Sequence, residues 1–144
     1  MKRKAVWALV ADSSRARIFK DLLSPKAVAE TALEAEHKQL GEIMADRAGR
    51  SFSSTSPRRS AMEYHSDPVR DRERAFAVLM ARTLEAHRAA GEIDELIVVA
   101  APQTLGDLRD ALPAKLKRIV TSEIAKDLTK LPTHELLKRL AEVR

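Results

Sequence analysis

The sequence predicts a single α/β domain, and three observations carry that reading. Residues 5–11 (AVWALVA) and 96–101 (LIVVAA) are uninterrupted apolar runs of strand length, the pattern of strands covered on both faces. From Pro68 onward apolar side chains return at helical spacing, and Gly91 follows where a helix stops. The chain has 144 residues, the size of one domain, so residues 1–144 form one unit and no second full domain fits.

Each element has a local cause. After the first run, Asp12, Ser13 and Ser14 are turn formers, and Ala16 and Ile18 alternate with Arg15 and Arg17, which predicts a β-hairpin. Residues 26–37 are ambiguous, because no period of either kind is clean; their Ala and Glu content favours a helix. Residues 41–67 contain two of the four glycines, Pro57 and a concentration of serine, and they predict a long loop of the functional or mobile kind. Ser66 or Asp67 can cap the helix that Pro68 opens, with Val69, Phe76, Leu79, Met80, Thr83, Leu84 and His87 on its inward face. His87 at its end complements the helix dipole. The second apolar run meets Pro102, which starts a helix over 102–112 carrying Leu105, Leu108 and Leu112. A strand is expected over 119–125. Thr133 is expected to cap a last helix over 134–143 that turns Leu136, Leu137 and Leu140 inward.

Composition narrows the chemistry. There is no cysteine, hence no disulfide, thiolate nucleophile or cysteine-based metal site. His37, His65, His87 and His134 have no local metal-ligand spacing, so no metal is expected. Aromatics are 3% of the chain, which leaves few platforms for stacking bases. The apolar run 5–11 is too short for a secretory segment or a bilayer span, so the expected compartment is the cytoplasm, with no membrane partner. The net charge of +5 is distributed in blocks: +5 over residues 1–20, −4 over 21–46 and +3 over 47–65. Brought together, the first and third blocks would make one basic face that attracts phosphate backbones or acidic partners.

No motif for nucleotide cofactors is present, since Gly106 stands alone, and no serine lies in a nucleophile elbow. Asp12, Asp94, Glu95 and Asp107 stand near the ends of predicted strands and could in principle hold Mg²⁺ for a nuclease, the least favoured of the readings. Charged residues at strand ends are the ordinary way strands stop. The segment 47–60 (RAGRSFSSTSPRRS) is the most informative. Its four arginines lie among hydroxyl side chains, a composition suited to phosphate or carboxylate. Arg50, Arg58 and Arg59, with Ser51 and Phe52, are the candidate binding residues.

Several stretches then combine in order: Leu9-Val10-Ala11-Asp12-x-x-Arg15-Ala16-Arg17-Ile18-Phe19, Gly49-Arg50-Ser51-Phe52-x-Ser54, Phe76-Ala77, Ala101-Pro102-x-x-Leu105-Gly106-x-Leu108-Arg109, and Glu123-x-x-Lys126-Asp127-Leu128-Thr129. Together they resemble the bacterial host-attachment protein family. The motif residues this singles out are Asp12, Arg15, Arg17, Gly49, Pro102, Gly106, Arg109, Lys126 and Asp127. The family is similar in fold to the middle domain of archaeal and eukaryotic peptide-chain release factors. The resemblance therefore implies a mixed sheet of five strands flanked by helices, with ribonuclease-H-like topology, and a strand rather than a helix over 26–37. Release factors carry Gly-Gly-Gln in the loop that corresponds to 47–60. This chain has glutamine only at Gln39 and Gln103, so peptide release by that motif is not available to it. The expectation is a non-catalytic protein without cofactors that associates with RNA or the ribosome; the alternative is a scaffold that binds another protein and affects attachment indirectly.

Overall fold

The computed structural model describes residues 3–35 and 67–143. Their elements are β1 (Val6–Ala11), β2 (Arg15–Lys20), β3 (Ala29–Glu34), α1 (Pro68–Ala89), β4 (Glu95–Ala100), α2 (Pro102–Ala111), α3 (Ala114–Arg118), β5 (Val120–Ile124) and α4 (Thr133–Glu142). The strands form one mixed sheet in the order β3-β2-β1-β4-β5. β2 is antiparallel to β1 and β3, whereas β1, β4 and β5 are parallel.

β1 lies at the centre, and all six of its residues are buried. Its pleat divides them between two cores, because successive side chains of a strand point to opposite faces. Trp7, Leu9 and Ala11 pack with Phe76, Met80 and Leu84 of α1 and Leu105 and Leu108 of α2. Val6, Ala8 and Val10 pack with Leu136 and Leu140 of α4. β4 repeats the division, with Leu96, Val98 and Ala100 on the α1 side and Ile97 and Val99 on the α4 side. Helices on both faces are why these two strands read as unbroken apolar runs. Both were expected to be the most buried strands, and they are.

β3 departs from the helix that composition favoured over 26–37. It pairs antiparallel with β2 from Lys20↔Ala29 to Arg15↔Glu34, and only Leu33 among its residues is partly buried. Exposed along most of its length at the edge of the sheet, β3 carries no alternating pattern, and its Ala and Glu were misleading.

Asp67 caps α1, its Oδ1 accepting from the N–H groups of Val69 and Arg70 at 3.0 and 3.2 Å. Gly91 ends it with φ of 78°, the left-handed conformation that glycine adopts at no steric cost. The inward face differs from expectation at two places. Val69 and Leu79 are 37% and 42% exposed, while Ala77 and Ala81 are buried. The small residues take the sheet-facing positions and let the helix sit close. At the far end the rings of Trp7 and His87 lie 4.9 Å apart, with the Lys20 ammonium 5.6 Å from the indole.

The chain from β4 enters α2 at Pro102 as expected. The single-turn α3 was not anticipated from the sequence. Thr133 is the first residue of α4 and makes no capping bond; its hydroxyl is taken up by side chains of the sheet, described below. Among the described residues no helix is long and apolar enough to cross a membrane.

Candidate functional site: the carboxyl edge of the parallel strands

Parallel strands end on the same side, so the turns after β1, β4 and β5 meet at one edge of the sheet, the usual ligand position in open α/β sheets. Asp12 follows β1, Pro102 opens α2 after β4, and Lys126 to Thr129 follow β5. The Ala101 N–H reaches the Ala11 carbonyl, which fixes the start of α2 against β1.

Asp12 organises this edge. Its Oδ1 accepts from the N–H groups of Ser14 at 2.9 Å and Arg15 at 2.7 Å, and its Oδ2 lies 3.2 Å from the Thr129 hydroxyl. Burial alone would raise the Asp12 pKa; the bonds from Ser14, Arg15 and Thr129, with the Arg15 charge, outweigh it and hold the carboxyl below its ordinary value. Thr129 Oγ1 also reaches Asp127 Oδ1 at 2.7 Å, so its single proton serves one carboxylate at a time. Asp127 in turn accepts from the Thr129 N–H. These carboxylates are occupied in shaping their own turns.

Arg17 ties three elements together. Its Nε donates to Glu30 Oε2 at 2.6 Å, its NH1 to the carbonyls of Thr129 and Leu131, and its NH2 to Glu30 Oε1 and the Thr133 hydroxyl. Thr133 passes its own proton to Glu30 Oε1 at 2.8 Å. The Arg17 hydrogen bonds, aided by Thr133, outweigh burial and lower the Glu30 pKa.

Arg15 and Lys126 of the edge remain outward. The Arg15 side chain is 54% exposed, and its nearest carboxylate oxygen, on Asp12, is 3.9 Å away. Lys126 is exposed. Farther from the edge, Arg109 donates to Glu123 Oε1 from both Nε and NH2, at 3.0 and 2.7 Å, joining α2 to β5. Gly106 sits inside α2, where an added methyl group would meet nothing within 4 Å.

Several sequence readings are corrected here. The charges of the basic block at residues 1–20 are divided between the two ends of the sheet, and the block at 47–65 lies outside the described residues. Lys4 pairs with Glu95 and Arg3 with Asp21, while Arg17 is neutralised by Glu30 at the opposite edge. Asp94 and Glu95 lie at the amino end of β4, Asp94 accepting from the Ala5 N–H, and Asp107 is held by Arg70. Asp12, Asp94, Glu95 and Asp107 therefore do not converge. Among the described residues no three histidine, aspartate or glutamate side chains could hold a metal together. Gly49, Arg50, Ser51, Phe52, Arg58 and Arg59 lie outside the described residues. Sequence reasoning passed over Glu30, Thr129 and Thr133 as site residues; the Asp127-x-Thr129 spacing, which suits a side chain that bonds its own backbone two residues on, was the available signal for Thr129.

An uncharacterised protein of Rickettsia prowazekii (strain Madrid E) is 59% identical over 34 residues, a stretch that covers 24% of this chain and 23% of that protein's length. The family described as "Protein required for attachment to host cells" matches residues 7–140. That match runs from β1 through the last buried leucine of α4, and it makes this chain a member of the host-attachment family.

Proposed function

We propose that this host-attachment protein is a non-catalytic module that associates with RNA, free or in the ribosome, through the carboxyl edge of its sheet. One observation carries the reading. Residues 36–66 are bounded at both ends on that side of the molecule. Ala35 donates to the Ser14 carbonyl at 2.8 Å beside Arg15, and α1 starts on the same side, since Ala35 and Phe76 line a common recess while His87 meets Trp7 at the other end. Arg15 and Lys126 are exposed at that edge, and in the sequence the segment between its two flanks carries Arg47, Arg50, Arg58 and Arg59.

The chemistry of such a surface is phosphate contact, not base reading. Guanidinium forks and hydroxyl groups suit phosphates, and Phe52 is the one stacking candidate in the segment 47–60. The strand order, with β2 alone reversed, is compatible with the ribonuclease-H-like topology of release-factor middle domains. The absence of Gly-Gly-Gln removes peptide release but not attachment to RNA.

Affinity retention from cell lysate with and without ribonuclease tests the proposal. Ribonuclease is expected to strip the bound material, and binding to single-stranded RNA should weaken with salt at a log–log slope of about −2 to −3 for three phosphate contacts. Changing Arg50, Arg58 and Arg59 together to Ala should abolish retention. Retention unchanged by the triple substitution would overturn the proposal, and retention indifferent to both salt and ribonuclease would favour the protein-binding scaffold.

A further inference from the structure

The fold leaves apolar surface bare on α1. Val69, Val78 and Leu79 are the large hydrophobic side chains exposed among the described residues; Leu79 lines the recess shared with Ala35 and Phe76, and Val78 belongs to a different side of the helix. Val78 stands at the head of a groove of about 470 Å³ between the second half of α1 and the turn joining α2 to α3. Its floor is alanine: Ala81, Ala86 and Ala89 from α1 and Ala111 from α2, with Pro113 as the far wall. From Val78 to Ala89 the groove follows three turns of helix, about 16 Å at 1.5 Å per residue.

Its lining carries two charged side chains, Arg82 and Glu85. Glu85 gives both oxygens to Arg88, at 2.6 and 2.7 Å. The Arg88 bonds hold its carboxyl below the ordinary value, with a further pull from Lys115 on α3. Arg82, also on the lining, is exposed and has no hydrogen-bond or ion-pair partner among the described residues. With Glu85 taken up by Arg88, the charge left on the lining is Arg82, and Lys115 acts on the same carboxylate from α3.

We propose that this groove is the docking site for an acidic amphipathic helix of a partner protein. The alanine floor lets a second helix axis approach closely, as small residues do at helix contacts. The trench matches a helix-in-groove contact with apolar anchors at i, i+3, i+4 and i+7, and Arg82 and Lys115 complement glutamates on the flanks of such a helix. A strand would leave its backbone groups unpaired against side chains that offer no ladder. The groove lies at the pole of His87, away from the carboxyl edge, so occupation of one surface leaves the other free. The inference does not rest on the RNA reading.

Fluorescence anisotropy with a labelled synthetic helix, leucine and alanine on one face and glutamate on both flanks, tests it. The full chain is expected to bind this peptide and to reject the same peptide with lysine in place of glutamate. Val78→Asp should weaken binding at least tenfold, and Arg82→Glu should reverse the preference between the two peptides. Both substitutions are at exposed positions, and an unchanged circular dichroism melt confirms the fold. The variant with Ala at 50, 58 and 59 should bind the peptide normally, which separates this site from the carboxyl edge. Absence of binding, binding insensitive to both substitutions, or a wild-type dimer in sedimentation that Val78→Asp dissociates would overturn the proposal.

Discussion

Arg70, in the first turn of α1, holds Asp107 of α2 with two parallel bonds, NH1 to Oδ2 at 2.9 Å and NH2 to Oδ1 at 2.8 Å. NH1 also donates to Glu73 at 2.9 Å. The two carboxylates strengthen the guanidinium's hold on its proton, Asp107 first. Because the Asp107 side chain is only 10% exposed, this clamp fixes how the entrance of α1 sits on α2. Asp107→Ala should lower the thermal midpoint by about 4 °C. A double-mutant cycle with Arg70→Met, read by calorimetry, should give a loss well short of the sum of the two single changes.

Asp12 and Glu30 both titrate below their ordinary values of 3.8 and 4.5. In the acid range the unfolded chain therefore binds more protons than the folded one. Their contribution is complete above about pH 4.5 and is lost as pH falls through the lowered folded values. Urea unfolding between pH 7 and pH 3 should show this decline. Asp12→Asn should flatten it and cost about 1–3 kcal/mol at neutral pH.

Replacing Arg17 by Met removes the fork on Glu30 and the bonds to the Thr129 and Leu131 carbonyls together. The expected loss is about 2–3 kcal/mol by urea unfolding. Amide exchange should accelerate most in β3 and in the turn before α4, because the Thr133–Glu30 bond is then the side-chain link left between them among the described residues.

The two described glycines should respond in opposite directions to alanine. Gly91→Ala meets no steric contact but keeps φ of 78°, and it should destabilise by about 1 kcal/mol. Gly106→Ala, in the interior of α2 with open space around it, should stabilise by about 0.5–1 kcal/mol. Chemical denaturation of the two variants side by side checks both signs.

A non-catalytic role predicts that RNA incubated with the protein and Mg²⁺ stays intact on a denaturing gel. Cleavage that Asp12→Asn abolishes would establish the metal-dependent nuclease instead.

What the sequence disclosed follows from where each signal originates. β1, β4, the Asp67 cap and the Gly91 stop were legible because burial on two faces, capping and left-handed backbone leave local marks. β3 was not, since a strand whose stability comes from one neighbour carries no pattern of its own, and its identity was reached through resemblance to a family. The inward face of α1 was misjudged at Val69 and Leu79 because size was weighed above position, although Ala77 and Ala81 are what bring the helix onto the sheet. At the carboxyl edge Asp12 and Arg17 were singled out, but their partners are 103 to 117 residues away from them or from each other in the chain, and only folding reveals such pairs.

Trp7 gives the molecule an optical gauge. It is the chain's one tryptophan, 4% exposed, and it lies near both the imidazole of His87 and the ammonium of Lys20. An indole so sheltered emits toward the blue and moves to the red when water reaches it, so unfolding can be followed without a label. The same emission tells the two ends of the protein apart. A ligand seated along α1 beside His87 perturbs the colour of the light, whereas one held at the far rim by Arg15 and Lys126 leaves it as it was.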